Sequence, residues 1–78
     1  MPTFQTTPTF QTTDLNLAAF LMARGHALVG VARDGPRRVF GFPETAREES
    51  QGFYANATVP ARGFANALRD LKTLIRET

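Results

Sequence analysis

Arg62, Asn66, Arg69, Lys72, Thr73 and Arg76 recur at spacings that bring them to one side of a helix. Cations spread over several turns of one helix could follow a phosphate backbone or an acidic protein surface. Asp70 and Glu77 lie at one margin of that side and dilute its field. No aromatic is interleaved there to stack a base, which weighs against a single-strand reader. A smaller cluster, Arg33, Arg37 and Arg38, stands earlier in the chain. Eight of the nine basic residues are Arg. Arg grips phosphate or carboxylate with a planar fork of donors. A solvated helix face and a GC-rich or thermophilic source are the plain alternatives.

The residues that could carry catalysis are sparse. His26 is the single histidine, and the chain has no cysteine. One His cannot make a metal site, and no close carboxylate pair stands near it in sequence. It follows Gly25 at a helix end, where a His can bond the last carbonyls or fill a packing gap. Glu48 and Glu49 are neighbours, so they point to different helix faces. Asp14, Asp34, Asp70 and Glu77 stand at caps, turns or solvent-facing positions. Phosphate-loop, dinucleotide and nucleophile-elbow motifs are missing from the sequence. These features predict no catalytic residue, no metal and no cofactor, with a small enzyme using His26 as the remote alternative.

The elements that must hold these residues belong to a chain of 78 residues, the size of one small domain. Hydrophobic residues make up 42% of it, which suits a globular fold. Without disulfides, seven Phe must supply much of the packing. No apolar run reaches the ~20 residues of a membrane span. The N-terminal residues lack the pattern of a signal peptide, so a cytoplasmic location without membrane contact is expected.

The hexapeptide Pro2-Thr3-Phe4-Gln5-Thr6-Thr7 is followed at once by an identical copy, Pro8 to Thr13. Alternating Thr, Phe and Gln suit an extended segment. Pro8 interrupts any continuous central strand. The second copy is therefore read as the first strand, and residues 1–9 as a flexible tail or an edge strand that pairs opportunistically. Residues 10–78 form the domain.

A first helix begins at Thr13 or Asp14, a capping residue, and ends at Gly25. It is apolar almost all round, with only Asn16 and Arg24 breaking the pattern. Such a helix needs cover on more than one side. Leu17, Phe20 and Leu21 are accordingly expected to meet a second copy or a protein partner, unless a terminal helix covers them.

Residues 27–33 and 38–42 read as two strands joined by Asp34-Gly35-Pro36-Arg37. This spacing sets Arg33 against Arg38, Val31 against Phe40, Val29 against Phe42 and Gly30 against Gly41. Close packing of Ala18, Ala19 and Ala23 would suit the glycine face. A second helix is expected to start at Pro43 and to turn Ala46, Ser50, Phe53 and Tyr54 inward. Val59-Pro60 opens a third helix, running to about Arg76, whose inward stripe is Phe64, Leu68, Leu71 and Ile75. The order is β–α–β–β–α–α, an α+β fold with a three-stranded, mainly antiparallel sheet.

Phe10, Thr12, Thr13, Asp14, Leu15, Leu17, Ala18, Ala19, Phe20, Leu21, Gly25 and His26 carry a resemblance to a family of small bacterial, phage and mobile-element domains of unknown function. The likeness continues at Val39, Phe40 and Phe42, and at Phe64, Ala67, Leu68, Leu71 and Lys72. The duplicated PTFQTT departs from that pattern. The resemblance implies one α+β domain in a phage or mobile-element setting and no catalytic residues. The expected function is a self-associating, non-catalytic accessory module, associated with DNA or RNA through Arg62, Arg69, Lys72, Arg76, Arg37 and Arg38. The alternative is a protein-interaction module that modulates a host or phage enzyme without binding nucleic acid.

Overall fold

The computed structural model describes residues 9–77. The elements are β1 (Thr9–Thr12), α1 (Leu15–Ala23), β2 (Gly30–Asp34), β3 (Arg37–Pro43), α2 (Ala46–Tyr54) and α3 (Ala61–Glu77). The α+β class and the order of elements are those expected. β1 starts at Thr9, one residue before the expected domain boundary, and the first copy of the repeat lies outside the described residues.

α1 starts and stops by local chemistry. Asp14 Oδ1 accepts from the amides of Asn16 at 2.9 Å and Leu17 at 3.1 Å. Thr12 Oγ1 accepts the Asp14 amide at 3.0 Å, so the last residue of β1 also sets the cap. At the other end Gly25 has φ +98°, a backbone conformation that side chains disfavour. Its amide donates to Met22 O, and that of His26 to Leu21 O, each at 3.0 Å, the two bonds of a Schellman motif. α2 ends in the same way: Asn56 has φ +66°, with Asn56 N donating to Phe53 O and Ala57 N to Gly52 O.

The sheet order is β1-β3-β2, antiparallel throughout. The register is the expected one for Gly30 with Gly41, Val31 with Phe40 and Arg33 with Arg38. The expected pairing of Val29 with Phe42 is not formed: the Val29 amide donates to Gly41 O instead. Asp34 and Arg37 are themselves paired, so the loop is only Gly35-Pro36. Gly35 has φ +64°, and Pro36 fixes a negative φ, the sign pattern of a type II′ turn. β2 begins at Gly30 rather than Ala27: the Val29 amide donates to Gly41 O, which is already the mate of Gly30, so the regular ladder does not continue toward Ala27.

Gly41 turns its carbonyl toward β2, since it accepts from the Val29 amide at 2.7 Å. Backbone polar groups alternate sides along a strand, so Phe40 and Phe42 turn theirs toward β1. Phe10 and Thr12, opposite them, face β3 in return. Thr9 and Gln11 turn their N–H and C=O groups to the outer edge. Pro43 is the last residue of β3, not the first of a helix as expected. Its missing N–H would point toward β2 beyond where β2 begins, so no ladder bond is lost.

The core unites Leu17, Ala18, Ala19, Phe20 and Leu21 of α1 with Phe40 and Phe42 of β3, Ala46 of α2 and Ala67 and Leu71 of α3. α1 lies at the centre, with its most extensive helix contact made by α3. Leu17, Phe20 and Leu21 are thus buried within their own chain, and the expectation that they face a partner is corrected. The amphipathic α3 supplies the second cover that an all-apolar helix needs. Ala18 and Ala19 share their cluster with the bulky Phe40 and Phe42, not with the glycine pair. In α2, Ala46 and Ser50 are buried as expected, but Tyr54 is 72% exposed. Phe53 takes the inward place, its ring 5.5 Å from Phe20 in an edge-on contact, and consecutive helical residues cannot share a face.

Candidate nucleic-acid interface

α3 is positioned by its apolar side. Ala67 and Leu71 are buried, and Phe64, Leu68, Leu74 and Ile75 pack against the core. That orientation commits the opposite side to solvent. Arg62, Asn66, Arg69, Lys72, Thr73 and Arg76 are all exposed. Arg69 Nη2 donates to Asn66 Oδ1 at 3.2 Å, and Thr73 Oγ1 donates to Arg69 O at 3.1 Å. Among the described residues none of the four cations is ion-paired with a carboxylate; the ion pairs involve Arg24, His26 and Arg47. From Arg62 to Arg76 the row spans about 21 Å at 1.5 Å per residue.

The hairpin arginines do not form one patch. Arg33 and Arg38 are directly opposed, and by alternation they share the face of Phe40. Arg37 falls on the other face, opposite Asp34. The expectation that Arg37 and Arg38 act together is corrected, because adjacent strand residues point to opposite sides. The Asp34–Arg37 pairing is favourable and the Arg33–Arg38 pairing is not.

A polar cluster that sequence reading missed surrounds Glu49. Arg24 Nη2 lies 2.8 Å from Glu49 Oε2, and Arg24 Nη1 donates to Thr58 O at 2.9 Å. His26 Nε2 lies 3.4 Å from Glu49 Oε1. The Arg24 guanidinium also sits 5.7 Å over the Phe20 ring. The bond from His26 foremost, aided by Arg24 against partial burial, holds the Glu49 carboxyl below its ordinary range. The cluster joins the end of α1 to α2 and to the loop before α3. No local signal could have found it, since the partners are more than twenty residues apart in sequence.

Among the described residues no group of three His, Cys, Asp or Glu side chains could hold a metal. No described helix is long and apolar enough to cross a membrane. Comparisons with family models, curated proteins and solved structures return no match.

Proposed function

We propose that the protein is a non-catalytic accessory module that holds DNA or RNA along the exposed face of α3. The observation that carries this reading is the row of Arg62, Arg69, Lys72 and Arg76, exposed and, among the described residues, without carboxylate partners. A helix whose other side is anchored in the core presents such a row as a rigid strip. A phosphate backbone matches a strip of this length and charge, because released counterions favour the bound state. The absence of an interleaved aromatic points to backbone contact rather than base stacking.

The non-catalytic part rests on the sequence, which carries no phosphate-loop, dinucleotide or nucleophile-elbow motif. The Glu49 cluster, which unites His26 and Arg24 with one carboxylate, is read as a tie between α1 and α2. The resemblance carried by Phe10–His26 supports a phage or mobile-element setting.

The test is fluorescence anisotropy with labelled duplex DNA and RNA across a salt series. Binding at low salt that falls steeply as salt rises is expected. No binding at low salt would overturn the reading and favour a protein-interaction module.

A further inference from the structure

We infer that the phosphate-binding strip does not end with α3 but continues onto Arg33 of the β2–β3 hairpin, so that a double-stranded backbone lying along α3 also meets the tip of the sheet. This inference rests on the polyanion reading of α3 and adds to it a binding residue on another element. The side of the sheet is set by the hairpin register. Arg33 stands opposite Arg38, two residues beyond the pair of Val31 with Phe40. Phe40 and Phe42 share the core with Ala67 and Leu71 of α3, and Val31 packs against it. Alternation puts the Arg33 side chain on that same face. It therefore leaves the sheet on the side that carries α1 and α3, whereas Arg37 leaves on the opposite side.

The directions of the helices bring α3 to the same end. β1 runs toward the hairpin tip and stops at Thr12, opposite Phe40. Thr12 Oγ1 accepts the amide of Asp14, the cap of α1, so α1 starts at the tip end. Its last turn is tied through Arg24 to Glu49 of α2, which follows the far end of β3. α3 starts beside that far end. Arg24 Nη1 donates to Thr58 O at 2.9 Å, and a Cβ built at Gly63 would stand 4.0 Å from Ala23 Cβ. α3 therefore returns antiparallel to α1 and carries Arg76, in its last turn, back toward the tip.

The lengths agree. From Gly63 to Arg76 α3 rises about 20 Å, while α1 from Ala23 back to Leu15 rises about 12 Å, so α3 overshoots the start of α1 by about 8 Å. β3 overshoots by a comparable amount, since Arg38 lies two residues, about 7 Å, beyond the partner of Thr12. Arg76 and Arg33 thus come to the same level past the start of α1. α1 does not reach that far, and Arg33 is exposed. Among the described residues Arg33 forms no ion pair with a carboxylate. Arg62, Arg69 and Arg76 are seven residues apart and make a nearly straight row. A backbone followed along that row leads past Arg76 to the level of Arg33. A duplex suits this path because its persistence length, about 50 nm, far exceeds the length of α3. A single strand would have to be ordered along the path with no aromatic in the row to stack its bases.

The test compares Arg33→Ala, Arg33→Lys, Arg37→Ala and Arg69→Ala by anisotropy on one short labelled DNA duplex across a salt series. Melting temperatures check the fold. Arg33→Ala removes one of two opposed like charges, so its melting temperature should not fall. It is expected to weaken binding and to flatten the plot of log K against log salt by roughly 0.9, as Arg69→Ala does. Arg33→Lys keeps the charge and should keep the slope. Arg37→Ala loses the same charge from the other face and should also keep it. The duplex should bind more tightly than either of its strands alone. A wild-type slope for Arg33→Ala beside a flattened one for Arg69→Ala would overturn the extension and leave the α3 reading standing. Equal flattening by Arg33→Ala and Arg37→Ala would overturn it as well, since net charge would then explain the effect. A single strand that binds as tightly as the duplex would overturn the assignment of a double-stranded partner. No duplex binding by the wild type would overturn both readings together.

Discussion

Glu49 of α2 holds Arg24, the last residue before the Gly25 stop of α1, at 2.8 Å. The same carboxylate meets His26 just past that stop. The contact fixes the end of α1 against α2, while Arg24 reaches on to the Thr58 carbonyl. One acidic residue thereby ties three segments that are distant in sequence.

Acid should release this tie. Glu49 is held below its ordinary carboxylate value of 4.5, so its contribution is present above that value. It is lost as pH falls through the lower, folded-state value. The melting temperature of Glu49→Gln should therefore lie below that of the wild type at pH 7. The gap should close as pH is taken below about 4. Glu44, held low by its bond from Arg47, will add a similar acid sensitivity that both proteins share. A gap that is constant with pH would refute the assignment.

Leu21 of α1 and Leu71 of α3 are fully buried in the same core cluster. Truncating either to Ala should cost about 2–5 kcal/mol in a denaturant titration. Leu21→Ala should lower stability without changing the sedimentation mass of the folded protein. A change of mass with little loss of stability would restore α1 as a partner surface.

Gly25 and Asn56 close the two Schellman motifs with positive φ. No atom stands within 4 Å of a Cβ built at Gly25, so Gly25→Ala meets backbone strain and no clash. A loss of about 1–2 kcal/mol is expected. Asn56→Ala should destabilise as well, whereas Asn56→Gly should be neutral or stabilising. Urea midpoints of the three variants would decide the matter.

Arg69→Ala and Lys72→Ala remove exposed charges that form no ion pair among the described residues. Their folding stability should stay within about 0.5 kcal/mol of the wild type. If α3 follows duplex DNA, each should weaken binding and flatten the plot of log K against log salt by roughly 0.9. Arg47→Ala is a control on another element, paired with Glu44, and should leave the slope unchanged.

Local chemistry alone determined much of this fold. Asp14 and Gly25 bound α1 because capping is satisfied within a turn of chain. The Arg33–Arg38 register followed from a short loop, since a hairpin's pairing is counted outward from its turn. The inward stripe of α3, and with it the exposed Arg62–Arg76 row, followed from helical periodicity. Other features depended on which elements meet. The greasiness of Leu17, Phe20 and Leu21 is the same whether α3 or another chain covers them, and only packing assigns the cover to α3. Pro43 suits a helix start or a strand end equally, and its pairing with Thr9 decided for the strand. The Glu49 cluster exists only because α1 and α2 pack together, and short-range sequence patterns cannot encode a contact across that distance.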